Sequence, residues 1–210
     1  MRAAEPMSQA LQRRLRAISA RLVEEYDGVF SRETVQAVVA DSLERLIPIT
    51  VTAHLPILIE RFADKRLKAA AQADGLIPKT SPVVLFICTE NAARSQMAAA
   101  LARHVSEGRV DAVSAGSAPA SVINHAVVEA IAELGIEMAF EFPKPLTDEV
   151  VRAADVVVTM GCGDRCPVHP GPRYLDWAVA DPAGQNLATV RAIRQDIADQ
   201  VLDLLKELLP

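Results

Sequence analysis

Val83-Val84-Leu85-Phe86-Ile87-Cys88-Thr89-Glu90-Asn91-Ala92-Ala93-Arg94-Ser95 is the stretch on which the fold turns. Five apolar residues, three of them β-branched, read as a buried strand. Gln96-Met97-Ala98-Ala99-Ala100-Leu101-Ala102 follows with strong helix formers throughout. Between strand and helix lies a cysteine, then five residues, then Arg-Ser. A thiol at a strand end, facing the unpaired N–H groups that open a helix, makes an oxyanion pocket with a nucleophile at its floor. The chemistry this predicts is attack by sulfur on a phosphate-type centre, arsenate included. A free cysteine is only ~3% thiolate at neutral pH, and a helix mouth favours the anion. The N–H groups of Thr89, Glu90, Asn91, Ala92, Ala93, Arg94 and Ser95 are candidates to bind the oxyanion. Arg94 offers a planar fork for two oxygens. Ser95 can donate to the Cys88 sulfur, and Asn91 tolerates left-handed dihedrals. A chance pairing of cysteine and arginine is the plain alternative, and the strand-to-helix setting argues against it.

Outward from this loop the pattern alternates. Strands are predicted at 83–87, 110–114, 156–160 and 173–175, and helices at 95–106, 124–134, 147–153 and 188–209. Such alternation implies a parallel sheet covered on both faces. Upstream the grammar is helical. Leu11, Leu15, Ile18 and Leu22 recur at helical spacing, Ser31 caps a helix carrying Val35, Val38, Val39, Leu43 and Leu46, and a third helix runs from near Leu55 to Asp74. Residues 1–77 therefore read as a three-helix bundle, 78–82 as a linker with Pro78 and Pro82, and 83–210 as an α/β domain. A bundle of this size with few aromatics buries little surface alone, so it needs a second copy or the downstream domain.

Composition excludes several classes. The chain has 210 residues, half of them hydrophobic, 4% aromatic, with a net charge of −5. Residues 1–77 hold 11 basic and 10 acidic side chains, so neither part is a footprint for nucleic acid. No apolar stretch approaches the ~20 residues of a membrane span. Three cysteines without an apolar leader read as reduced thiols, and the expected compartment is the cytoplasm. Cys162, Cys166 and His169 lack a fourth ligand for zinc, so no metal is expected. Asp181, before Pro182, is the candidate general acid.

The segment 83–210 resembles arsenate reductases of the low-molecular-weight tyrosine phosphatase fold. The resemblance rests on C-T-E-N-A-A-R-S-Q-M-A (88–98), S-A-G-S-A-P-A (114–120), P-K-P-L-T (143–147), D-V-V-V-T-M-G-C-G-D-R-C-P (155–167) and D-W-A-V-A-D-P-A-G-Q (176–185). It implies a four-stranded parallel sheet flanked by helices, with Cys88 as nucleophile, Arg94 as oxyanion clamp and Asp181 as acid. V-F-S-R-E-T-V and L-P-I-L-I-E-R-F-A are similar to the bundle fused to some of these reductases, which implies a homodimer through residues 1–77. Phosphatases of this fold carry Cys at the position of Ala93, Pro at that of Gln96 and an aromatic at that of Ala183. Their absence favours a small inorganic anion over phosphotyrosine. The family usually has Asn-Pro where this chain has Asn124-His125.

Turnover has two expected routes. In one, Cys162 or Cys166 reduces the Cys88–arsenate adduct. Four residues apart on a helix, they would lie roughly 6 Å apart, within disulfide range. Gly161 and Gly163 would let the segment move, and thioredoxin would restore the thiols. In the other, mycothiol attacks the adduct and mycoredoxin follows. The compact C-G-D-R-C-P resembles the mycothiol-dependent enzymes more closely. Neither route needs a tightly bound cofactor. The rival readings are a phosphatase of the same fold and a non-enzymatic oxyanion sensor.

Overall fold

The computed structural model describes residues 8–48, 54–161, 166 and 168–209. Three helices come first: α1 (Gln9–Glu25), α2 (Arg32–Leu46) and α3 (Leu55–Ala73). Then follow β1 (Val83–Cys88), α4 (Arg94–Val105), β2 (Asp111–Gly116), α5 (His125–Ala132), α6 (Asp148–Ala153), β3 (Val156–Thr159), β4 (Arg173–Asp176) and α7 (Leu187–Leu208). The four strands are parallel, in the order β2-β1-β3-β4. The predicted four-stranded parallel sheet and the helical N-terminal part are both present. Among the described residues no helix is long and apolar enough to cross a membrane.

β1 is central, and all six of its residues are buried. This is why it reads as an unbroken apolar run. Its side chains alternate between faces. Val84, Phe86 and Cys88 join Val156 and Val158 under α4, α5 and α7, where Met97, Leu101, Ile131, Ile193 and Ile197 pack. Trp177 completes this face, its ring 5.7 Å from that of Phe86. Leu85, Ile87 and Val157 face the other way, onto Val150 and Val151 of α6 and Ala69 of α3. From β1 the chain adds β2 on one side and later β3 on the other. The C-terminal end of β1 is therefore the topological switch point, where open α/β sheets form their crevice.

α3 serves two cores. Ile59, Phe62, Ala63 and Leu67 pack with Leu22, Val35, Val39 and Leu46 in the bundle. Ala69 lies on the sheet. Phe142, from the α/β part, is buried in the bundle core. The downstream domain thus supplies the packing partner that the small bundle lacked. Arg66 locks the joint: its guanidinium meets Asp41 at 2.6 Å, donates to Ser42 Oγ at 3.0 Å and pairs with Glu149 of α6. Tyr26 OH donates to Asp64 Oδ1 at 2.8 Å, tying α1 to α3. Ser8 and Ser31 cap α1 and α2 by accepting from Leu11 and Thr34 N–H.

Asn124 caps α5, its Oδ1 accepting from Ala126 N–H at 2.9 Å, and places His125 at the first helical position. That position suits proline because its N–H has no intrahelical acceptor. An exposed histidine there costs the helix no hydrogen bond, which accounts for the departure from Asn-Pro.

Candidate active site

The loop after β1 is held so that its peptide groups all turn one way. Ser117 N–H donates to Cys88 O at 3.2 Å, Ala118 to Thr89 O at 2.8 Å, Ala120 to Glu90 O at 2.9 Å and Asn124 to Ala92 O at 2.9 Å. Asn91 O accepts from Gln96 Nε2 at 3.2 Å, and Ala93 O from Met97 N–H at 2.9 Å. Every carbonyl from 88 to 93 is thereby engaged. Asn91 N–H donates to Cys88 Sγ at 3.2 Å. The N–H groups of Thr89, Glu90, Ala92, Ala93, Arg94 and Ser95 donate no hydrogen bond among the described residues. A peptide plane with its carbonyl tied outward presents its N–H on the other side, so the loop is a nest for an anion.

Gly116, at the end of β2, makes this close packing possible. A Cβ there would sit 2.8 Å from Thr89 O and 2.9 Å from Asn91 N, so any side chain would push the loop away.

Asn91 is fully buried with φ +48 and organises the floor. Lys144 backbone N–H donates to its Oδ1 at 2.7 Å, and a backbone N–H can only donate. The amide orientation is therefore determined by chemistry. Its Nδ2 must then donate to Ser95 Oγ, 2.8 Å away. With that oxygen accepting from Asn91, the Ser95 proton is directed to the Cys88 sulfur at 3.0 Å. Cys88 is free and buried. The sulfur thus has two donors, Asn91 N–H and Ser95 OH.

Gln96 was not among the residues singled out for the site. It is fully buried, and its Nε2 donates to Asn91 Oδ1 at 3.0 Å and to Phe142 O at 2.8 Å. Its only signal in the sequence was the departure from Pro at this position. Lys144 is likewise buried, with Nζ on Glu141 Oε2 at 2.8 Å and on Phe142 O at 3.0 Å. Burial pushes the Lys144 ammonium down to about 8 against the pull of Glu141. Burial works to raise Glu141, but Lys144 and Arg103 outweigh it and hold the carboxyl at about 2.

Two predictions arise here. Asn91→Ala leaves the buried Lys144 N–H without an acceptor and takes the Asn91 amide donor from Ser95 Oγ, each worth about 1–3 kcal/mol when buried, while Gln96 Nε2 keeps Phe142 O. Stability is expected to fall by about 3 kcal/mol in urea denaturation, and kcat/KM by about 100-fold as the Ser95 proton loses its direction. A loss under about 1 kcal/mol would mean that the loop is held without this amide. Glu141 has a depressed folded pKa, so its contribution is present above its unfolded value near 4.5 and is lost as pH falls toward 2. Wild-type stability should therefore drop by on the order of 3 kcal/mol more than that of Glu141→Gln across this window. Parallel curves for the two proteins would remove the assignment.

Cys88, Thr89, Glu90, Ala93, Arg94 and Asp181 line one cavity of about 220 Å³. This lies below the roughly 300–1,000 Å³ of sites for drug-sized ligands and suits a small anion. Arg94 Nη2 donates to Asp181 Oδ2 at 3.1 Å, and the other carboxylate oxygen accepts from Ala183 N–H at 3.0 Å. Gly161 presses on Arg94 from the far side: a Cβ there would lie 2.9 Å from Nη1, and its φ of +75 suits glycine. Thr89 Oγ1 donates to Gly161 O at 3.0 Å. The predicted nucleophile, clamp and acid are thus brought together, whereas the Asn91 and Ala92 side chains are turned into the protein. Cys162 lies outside the described residues. Cys166 is disulfide-bonded, which corrects the expectation that all three cysteines are reduced thiols, and it packs on the sheet face of Leu85, Ile87 and Val157. His169 Nε2 lies 2.7 Å from Asp148 Oδ1, off the line of a hydrogen bond. Among the described residues no group of three His, Cys, Asp or Glu side chains gathers as a metal site.

Known proteins resemble this chain in sequence and fold. Residues 15–71 match the protein-tyrosine-phosphatase-like N-terminal domain. The thioredoxin-dependent arsenate reductase of Corynebacterium glutamicum is 44% identical, with a TM-score of 0.83 over 92% of this chain and 95% of that one. A putative arsenate reductase of Halobacterium salinarum is 35% identical over 60% of this chain and 92% of its own length. The YwlE arginine phosphatase of Geobacillus stearothermophilus is 28% identical, with a TM-score of 0.54 over 61% of this chain and 93% of that one. Residues 83–209, including the whole of the Cys88 loop, match the low molecular weight phosphotyrosine protein phosphatase family, and the chain belongs to that family.

Proposed function

We propose that this chain is an arsenate reductase coupled to thioredoxin. The observation that carries the reading is the Cys88 sulfur at the floor of a nest of free N–H groups, with Arg94 and Asp181 in the same small cavity. Arsenate binds the N–H groups and Arg94, displacing the Asp181 carboxylate from the guanidinium. The Cys88 thiolate forms a bond to arsenic(V). Once freed from Arg94, the Asp181 carboxylate takes up a proton from solvent and passes it to the departing oxygen, which leaves as water. A second thiolate then attacks the Cys88 sulfur. The electron pair of the S–As bond passes to arsenic, giving arsenite and a disulfide. Once thioredoxin has reduced the disulfide at Cys166, Cys166 and Cys162 are the second thiols of this reading, and thioredoxin again reduces the disulfide that remains after turnover. The two-domain relative from Corynebacterium glutamicum, thioredoxin-dependent by name, supports this donor over mycothiol and mycoredoxin.

The phosphatase alternative uses the same first step and lets water resolve a phosphocysteine. The cavity lining argues against it for aryl esters. Ala93 lines the cavity and Ala183 follows Asp-Pro, so no aromatic ring flanks Cys88 there. The test is arsenate-dependent NADPH oxidation with thioredoxin and its reductase, beside mycothiol, mycoredoxin and its reductase. A rate with thioredoxin, lost in a Cys162→Ser/Cys166→Ser double variant, is expected. A rate with mycothiol alone would replace the donor. Thiol-free turnover of para-nitrophenyl phosphate with no arsenate reduction would move the protein to the phosphatases.

The reading includes a cytoplasmic enzyme that pairs through residues 1–77. The groove between α1 and α2, lined by Leu15, Val39 and Leu43 between Arg16 and Arg32, is the surface for a second copy. Analytical ultracentrifugation at micromolar concentration decides: a dimer is expected and a monomer removes this part.

A further inference from the structure

A second cavity, of about 270 Å³, lies between α3 and the sheet edge formed by β2. It lies apart from the Cys88 pocket and shares no lining residue with it. One wall is apolar: Val83, Val113 and Val150, with Ala69, Ala112 and Ala153. The charged groups on the other wall have contact partners with one exception. Lys68 Nζ meets Asp111 Oδ2 at 2.7 Å. Arg103 Nη2 meets Glu141 Oε1 at 2.8 Å, and its Nη1 donates to Ala112 O at 2.8 Å. Asp64 accepts from Tyr26. The Lys65 ammonium, on a half-buried residue in the same wall, has no hydrogen bond or ion pair among the described residues. It feels Glu141 and Asp111 only across a gap, and burial lowers its pKa. A partly desolvated ammonium without a contact partner beside an open cavity is a costly arrangement that an anion relieves.

We infer that this cavity binds a small organic monocarboxylate, its carboxylate on the Lys65 ammonium and its apolar body against Val83, Val113 and Val150. Three features select this class. A cation finds Asp111 and Glu141 already paired with Lys68 and Arg103, and the unpaired Lys65 ammonium beside it. A dianion such as sulfate or hydrogen phosphate meets Asp64, Asp111 and Glu141, three carboxylates against the three cations of the lining, so no net positive charge is there to hold a second negative one. An apolar body gains from the hydrocarbon wall, and about 150 Å³ is already enough to hold a benzene ring.

The test is calorimetric titration of the full chain with benzoate, acetate and sulfate, repeated in Lys65→Met and in Arg94→Ala. Benzoate is expected to bind one site in the wild type and equally in Arg94→Ala, roughly tenfold or more weaker in Lys65→Met. Acetate should bind roughly tenfold more weakly than benzoate. An independent reading needs no variant: benzoate should shift the amide signals of Val83, Ala112, Val113 and Ala153 in ¹⁵N spectra. The inference fails if benzoate does not saturate below about 10 mM, if sulfate binds as well, or if Lys65→Met binds unchanged. It also fails if binding disappears in Arg94→Ala or the shifts fall on residues 89–95, since the anion then occupies the Cys88 pocket. None of these outcomes depends on arsenate being the substrate.

Discussion

Cys88→Ser is expected to lower arsenate reduction by at least about 10⁴-fold while leaving oxyanion binding intact. A serine oxygen at that position is not ionised at neutral pH and cannot hold arsenic through a bond whose electrons return to it. The cradle is another matter. Its donors are main-chain N–H groups whose carbonyls are anchored by the 117–124 segment and by Gln96, and none of these contacts involves the sulfur. Phosphate should therefore bind Cys88→Ser within a few-fold of wild type by calorimetry, with arsenite release at background. Retention of more than about 1% of the rate would mean that another thiol attacks arsenate first.

Arg94→Ala is expected to lower kcat/KM by about 10³-fold, the scale of a charged clamp on a transferring tetrahedral group. The guanidinium is only 14% exposed, sits between Gly161 and Asp181, and has little freedom to rearrange. Its removal takes away the fork and also frees Asp181 from its partner. Arg94→Lys should recover less than about tenfold, because a point charge cannot span two oxygens and Gly161 leaves no room for a different approach. Steady-state kinetics across the three proteins checks this. Full activity in Arg94→Lys would show that charge alone suffices.

The strand and helix that flank the Cys88 loop are legible because their signals are local. Burial on both faces makes β1 continuously apolar, and a run of alanines around Met97 and Leu101 makes α4 a helix wherever it packs. That Asp181 lines the Cys88 cavity had a weaker signal, a carboxylate before a stiffening proline. The bracing of the loop was not legible. Gln96 reaches Phe142 O and Lys144 reaches Asn91 across about fifty residues, and no spacing rule connects a polar side chain to a carbonyl that distant. The double duty of α3 was hidden as well. Ala69 lies on the sheet, yet an alanine is compatible with any face of a helix. Phe142, flanked by Glu141 and Pro143, gave no hint that it completes a core built by residues far upstream.

The cradle has a consequence for an organism that meets arsenate in the presence of phosphate. Main-chain donors recognise size, shape and charge, and the two tetrahedral anions scarcely differ in these. Recognition at this loop therefore offers almost no discrimination, and phosphate is a permanent competitor for the same seat. Selectivity has to come later, at the step only arsenic can complete: accepting an electron pair as its bond to sulfur breaks. The throughput of such a protein is governed by the ratio of the two anions around it, so lowering cellular phosphate would raise its output as surely as adding more enzyme.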